Sequence, residues 1–143
     1  IFHFAGENRT VKNQEHAKRI FDTSVIGTKN LLQITKYSDV KKIIFASSGA
    51  VYKKPQGKDR GFEESQETLN LEALERDPYR AGKARAESIF EDFHKASNTQ
   101  ILIARMFTFV GPFLPLDANY AIGNFFNDCI RNQPITVKSN GSS

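Results

Sequence analysis

Tyr79 and Lys83 lie four residues apart in DPYRAGKARAE, residues 77–87. Side chains at i and i+4 share one face of a helix, so the phenol and the ammonium can point to one spot. A free phenol has a pKa near ~10 and is a poor base at neutral pH. A cation beside it favours the phenolate, which can take a proton from a hydroxyl. The residues between and after the pair are mostly small, Ala81, Gly82 and Ala84 among them, so something large can come close. Two more hydroxyls, Ser47 and Ser48, end the apolar run KKIIFASS. Taken alone, Tyr79 and Lys83 fit an ordinary helix-face pair and the serines an ordinary strand end. The surrounding elements decide between these readings.

IFHFAG, residues 1–6, reads as a buried strand running into a turn at Gly6. Residues 14–37 read as a helix, with Ile20, Phe21, Ile26, Leu31, Leu32 and Ile34 as its apolar positions. Gly27 in mid-pattern predicts close packing there. Residues 41–48 form a second short buried strand. Residues 53–76 are polar and mostly loop, with a short helix near 69–75. Lys53, Lys54, Lys58 and Arg60 in it read as solvated charges. Asp77 and Pro78 suit the N-cap and first turn of a helix to about Ala96 that buries Ile89 and Phe93. QILIARMF, residues 100–107, reads as a third buried strand, Gly111 and Pro112 end it, a helix covers 121–132, and PITVK is a last short strand. Apolar strands alternating with helices predict an α/β fold with a parallel sheet. Ligands of such sheets sit beyond the carboxyl ends of the strands. Gly6, Ser47, Ser48 and the run from Thr108 to Pro112 fall there.

The chain has 143 residues, about one domain in length, and its 39% hydrophobic and 25% charged content is that of a soluble globular protein. A net charge of +4, from 20 bases mixed with 16 acids, is not a nucleic-acid footprint. No apolar run approaches the ~18 residues of a membrane span. Neither nucleic acid nor membrane is an expected partner. Cys129 is the only cysteine, which excludes an internal disulfide and suits a reducing cytosol. No His, Cys, Asp and Glu set has metal spacing, so no metal is expected. His3 reads as a core or oriented histidine, ARAESIFEDFHKA as packing, and Arg131 as a surface charge. The chain opens at Ile1 inside an apolar run and reads as an interior piece of a longer protein.

HFAG, GTKNLL, SSGAVYK, YRAGK and RMFTFVGP occur in that order. Together they resemble the HxAA, GTxNLL, SSxxVYG, YxxxK and RxxNxYGP stretches of the extended short-chain dehydrogenase/reductase superfamily, specifically its NAD-dependent epimerase/dehydratase family acting on nucleotide sugars. The resemblance covers essentially the whole chain. It implies a Rossmann-like parallel sheet with flanking helices, incomplete because the N-terminal Gly-rich βαβ unit and the C-terminal substrate region lie outside the sequence. Residues 1–112 would be the C-terminal part of the NAD-binding domain and 113–143 the start of the substrate-binding region. The implied chemistry is hydride transfer between a sugar carbinol and a nicotinamide. Tyr79 would be the base, Lys83 would tune it and bind the nicotinamide ribose, and Ser48 would hydrogen-bond the reacting oxygen. NAD would meet Ala5, Gly6, Ala46, Ser47, Tyr79, Lys83 and Phe107. The residues that separate NAD from NADP lie outside the sequence, which leaves that choice open. A nucleotide-diphosphate sugar would meet Ser48, Gly49, Thr108, Tyr120 and Ala121. The intact protein would be a cytoplasmic homodimer, joined through the helices that carry Gly27 and Tyr79.

The departures from the pattern also carry information. Ser24, Thr108, Val110 and Lys53 stand where the family usually has Asn, Asn, Tyr and Gly. Sugar dehydratases resembling this chain carry Thr-Asp-Glu where it has Ser48, Gly49 and Ala50. Neither Gly nor Ala can shuttle a proton, so epimerisation is expected over dehydration. The alternatives are a dehydratase, a net reductase or dehydrogenase of the same superfamily, and a non-catalytic dinucleotide sensor.

Overall fold

The computed structural model describes residues 1–7, 13–53, 61–65, 68, 77–114, 116 and 120–137. In chain order its elements are β1 (Phe2–His3), α1 (Gln14–Thr35), β2 (Lys42–Ser48), a 3-10 turn (Gly49–Val51), α2 (Pro78–Lys95), β3 (Gln100–Met106) and α3 (Ala121–Ile130). The expected helix near 69–75, and Lys54, Lys58 and Arg60, lie outside the described residues. The chain divides into two units, Ile1–Phe107 and Thr108–Ser143.

In the first unit the strands form one parallel sheet in the order β1-β2-β3. Parallel neighbours need crossover connections, and the segments containing α1 and α2 supply them. Phe2, Ile44 and Leu102 stand in one row across the sheet, and His3, Phe45 and Ile103 in the next. Successive side chains on a strand point to opposite faces, so these rows face opposite ways. The second row faces α1 and α2, where Leu32, Ile43, Phe45, Ala86 and Phe90 make the core. Burying a phenylalanine fully contributes about 1.5–3 kcal/mol, so Phe45 and Phe90 anchor the helices to the sheet. On the first row's face Phe2, Phe4 and Leu102 are exposed.

Both helices begin where local chemistry says they should. The Asn13 side chain accepts from the His16 amide at 2.8 Å and caps α1. Asp77 accepts from the amides of Tyr79 and Arg80, each at 3.2 Å, with Pro78 at the first helical position. His94 and Lys95 close α2, where the helix dipole favours cations.

Several expectations need correction. β1 ends at His3, and Ala5 and Gly6 are exposed residues beyond it. Ile26 and Ile34 face outward on α1, and Ile20, Val25 and Leu32 are buried. In α2 the fully buried positions are Ala86 and Phe90, with Ile89 and Phe93 packed partly buried beside them. In the second unit residues 134–137 form no strand. Backbone donors and acceptors need a partner strand, and the described residues of that unit contain none.

The glycine at the tight helix contact is Gly82, not Gly27. No atom lies within 4 Å of a side chain built at Gly27. A Cβ at Gly82 would lie 3.1 Å from Ser24 Cβ and 3.3 Å from Phe21 Cα, so α2 crosses α1 there at backbone distance. Gly82→Ala should therefore separate the helices and destabilise the intact protein by ~1–3 kcal/mol, the usual cost of overpacking. Urea denaturation checks this; an unchanged midpoint would mean that α1 yields freely.

Candidate active site

The site grows from the end of β2 and the first two turns of α2. Lys83 is only 5% exposed. Its ammonium donates to the Ala46 carbonyl at 2.8 Å. It lies 5.0 Å from the centre of the Phe45 ring and 5.9 Å from that of Tyr79. A Cβ at Gly6 would sit 3.3 Å from Nζ, so the segment after β1 passes close to the ammonium. Gly6, Ala46, Tyr79 and Lys83 thus meet at one place, with Ala5 next to Gly6. Burial lowers the Lys83 pKa, and the Glu87 carboxylate one turn along opposes that shift. An ammonium has three donors. Among the described residues only the Ala46 carbonyl accepts from it, which leaves two N–H groups for a polar ligand.

Ser48 Oγ accepts from the Ala50 amide at 3.2 Å and caps the 3-10 turn. That bond uses a lone pair, so the hydroxyl proton remains available to a ligand oxygen. None of the described residues hydrogen-bonds the Tyr79 hydroxyl, which is likewise available.

Ser47 turns the other way. Its hydroxyl donates to the Glu87 carboxylate beneath the sheet end. Arg105 forks onto the same carboxylate, with Nε 3.1 Å from Oε1 and Nη2 2.8 Å from Oε2. Hydrogen bonding to Glu87 raises the Arg105 pKa further above its ordinary value. The guanidinium also lies 4.7 Å over the Tyr52 ring.

Phe107 covers Gly49, where a Cβ would fall 2.5 Å from ring carbons. The Phe107 ring groups with those of Tyr52 and Phe62, at centroid distances of 6.4 and 5.3 Å. An open groove of about 740 Å³ runs along β3, lined by Tyr52, Phe62, Glu64, Arg105 and Phe107 among others. Tyr79, Lys83 and Ser48 are not part of its lining, so chemistry, not groove size, identifies the candidate site. The 3-10 turn packs against α2 and joins the Gly49–Phe107 contact to the Tyr79 helix. Thr108, Tyr120 and Ala121 belong to the second unit. There Tyr120 precedes α3 and Ala121 opens it.

Glu87, Arg105 and Tyr52 were not singled out from the sequence, and ARAESIFEDFHKA was assigned to packing. Signals were present: Glu87 follows Lys83 by four residues and so shares its helical face, and Arg105 and Tyr52 stand at fixed letters of the RMFTFVGP and SSGAVYK stretches.

His3 is a core histidine, stacked on Phe45 at 5.5 Å and tilted against Phe90 at 6.0 Å. Its Nε2 is buried without a partner among the described residues. Burial first, and the Lys83 charge second, hold its pKa below the ordinary 6.5. As pH falls below about 6.5, the unfolded chain then takes up a proton that the native state resists. Stability should drop through that window, and His3→Leu should flatten the drop. Urea midpoints between about pH 7 and about pH 5 measure it, and equal slopes in both proteins would assign the drop to other groups.

A parallel sheet with a lysine ammonium fixed to the end of its central strand is a Rossmann-like α/β arrangement. The family model described as NAD dependent epimerase/dehydratase matches residues 1–143, and the chain belongs to that family. The chain is 30% identical over 145 residues to UDP-glucuronic acid decarboxylase 1 of Arabidopsis thaliana, covering 99% of this chain and 32% of that protein. It is 31% identical over 140 residues to UDP-glucose 4-epimerase of Mycoplasma genitalium, covering 97% of this chain and 38% of that protein. It therefore spans about a third of the curated relatives it matches. Among solved structures, UDP-glucuronic acid 4-epimerase of Bacillus cereus, in complex with UDP-glucuronic acid and NAD, superposes with a TM-score of 0.76 at 24% identity. That match covers 97% of this chain and 41% of the other and shows a shared fold. The family and the Rossmann-like fold expected from the sequence both stand. Among the described residues no helix is long and apolar enough to cross a membrane.

Proposed function

We propose that the protein containing this chain is an NAD-dependent nucleotide-sugar epimerase in which Tyr79 is the base. The supporting observation is the Lys83 ammonium, buried beside the Tyr79 ring with two of its three donors unmet by described residues. Those donors suit the hydroxyls of a ribose, and Gly6 leaves the approach open. In this reading Ala5, Gly6, Ala46, the Ser47 backbone, Tyr79, Lys83 and Phe107 hold the cofactor. Bound NAD supplies the site that accepts a hydride from the sugar and returns it. Lys83 favours the Tyr79 phenolate, which takes the carbinol proton as the hydride leaves and becomes the phenol. Ser48 gives its uncommitted proton to the reacting oxygen as a hydrogen bond. Gly49, Thr108, Tyr120 and Ala121 complete the proposal as contacts of the nucleotide sugar.

Epimerisation is favoured over dehydration by the 49–50 pair. Gly49 and Ala50 carry no proton-shuttling group, and the Phe107 ring fills the space that a side chain at position 49 would need. The relative in Arabidopsis supports a second reading, decarboxylation of a nucleotide-linked uronic acid. A ketone formed two carbons from a carboxylate activates loss of carbon dioxide, so the same Tyr, Lys and Ser would serve. The proposal also includes the cytoplasm as compartment and a homodimer, for which Ile26 and Ile34 on α1 supply exposed apolar surface, 49% and 67% accessible.

The test is proton NMR of products formed by the intact protein from a panel of nucleotide sugars and nucleotide uronic acids. A new epimer without net reduced cofactor supports the reading. Released carbon dioxide establishes the decarboxylase, and a 4-keto-6-deoxy product the dehydratase. Reduced cofactor in step with product establishes a net dehydrogenase. No turnover with NAD bound overturns all four in favour of a sensor.

A further inference from the structure

Two consecutive residues at the end of β2 are gripped by two consecutive turns of α2. The Ala46 carbonyl takes a hydrogen bond from Lys83, and the Ser47 hydroxyl gives one to Glu87. Ser47 stands directly across from Arg105 in the β2–β3 register, and Arg105 closes onto the same carboxylate. Glu87 is 3% exposed and reaches no ligand-facing surface. Its only hydrogen-bond partners among the described residues are Ser47 and Arg105.

We infer that Glu87 is a positioning residue that locks the axial register of the Tyr79 helix against the strand ends carrying Ser48 and Phe107. A helix held to a strand at one point can still slide or pivot about it. A second point one turn further removes that freedom. Lys83 and Glu87 follow Tyr79 by one and two turns on α2, and Ala46 and Ser47 directly precede Ser48 on β2, so the two ties set how the base meets the group that bonds the reacting oxygen. The Arg105 fork bonds both oxygens of the buried carboxylate and extends the lock to β3. Glu87 also supports the Lys83 proton against burial. The inference concerns geometry and rests on the epimerase reading only where turnover is the readout.

The experiment compares the intact protein with its Glu87→Gln and Ser47→Ala variants. Glu87→Gln keeps the size and removes the charge. Ser47→Ala keeps the charge pair and removes the tie to β2, and it serves if the first variant does not fold. Both should lower kcat by ~10–100-fold with KM little changed, the signature of a misplaced reacting group. Glu87→Gln should also move the alkaline limb of the kcat profile to lower pH, because Lys83 then loses its proton more easily. Hydrogen exchange at the Gly49–Val51 amides should speed up in both variants. A lower melting temperature with wild-type kcat and exchange at assay temperature would reduce Glu87 to a structural role and overturn the inference. If the wild type turns over nothing, the epimerase reading has failed, and exchange alone decides: faster exchange upholds the lock, unchanged exchange overturns it.

Discussion

Tyr79→Phe in the intact protein should lower turnover by ~10²–10⁴-fold, the usual share of a positioned general base. The melting temperature should stay at the wild-type value, and NAD binding should weaken far less than turnover, because the ring remains. The substitution removes only the hydroxyl, so no hydrogen bond to a described residue is lost. The ring remains beside the Lys83 ammonium, 5.9 Å from its centre. Lys83→Met should differ in kind. It keeps the stem but removes the donor to Ala46 and the charge that favours the phenolate, so cofactor affinity and turnover should fall together. Rates from single-turnover NMR and NAD titration separate the two patterns. A Phe variant that keeps more than about a tenth of wild-type turnover would remove Tyr79 as the base.

Arg105→Leu should be the most destabilising single change at the site, by ~3–5 kcal/mol. Side-chain exposure is 4% for Glu87 and 20% for Arg105, so removing the guanidinium leaves a buried carboxylate with one remaining donor, Ser47. Breaking a buried pair from one side costs far more than removing both charges, since the orphaned ion has already lost its water. The double variant Glu87→Gln with Arg105→Leu should recover most of the loss. Urea denaturation reads both effects as midpoint shifts at constant slope. A single variant within about 1 kcal/mol of wild type would mean that water or another donor reaches Glu87. This stability test is separate from the positional role of Glu87, because the double variant can regain stability and still lack the tie to Ser47.

The local elements of the first unit were legible because they are written in neighbouring residues. Asp77 and Pro78 start α2 through bonds spanning two or three positions. The Tyr79–Lys83 pairing follows from four-residue spacing on that helix, and the apolar runs of β2 and β3 mark strands of a parallel sheet, although only β2 is buried and β3 is half-buried to exposed. PITVK shows the limit of such reading: its apolar pattern suits a strand, but the described second unit offers no partner to bond it. Gly27 shows another, since a helical pattern tells that a glycine is present and not which neighbour needs it. The need was at Gly82, set by where α1 crosses α2.

The sequence by itself determined the family, the helix that presents a phenol and an ammonium together, and the strand end that carries Ser48. Only the tertiary structure decided that Lys83 ties to Ala46 across 37 positions, that Ser47 turns away to Glu87 across 40, and that Arg105 completes the cluster. It alone placed Phe107 over Gly49. The physical reason is range. Caps and helical spacing act within a few residues, and a buried ion cluster forms only when a helix is packed onto a sheet in one register.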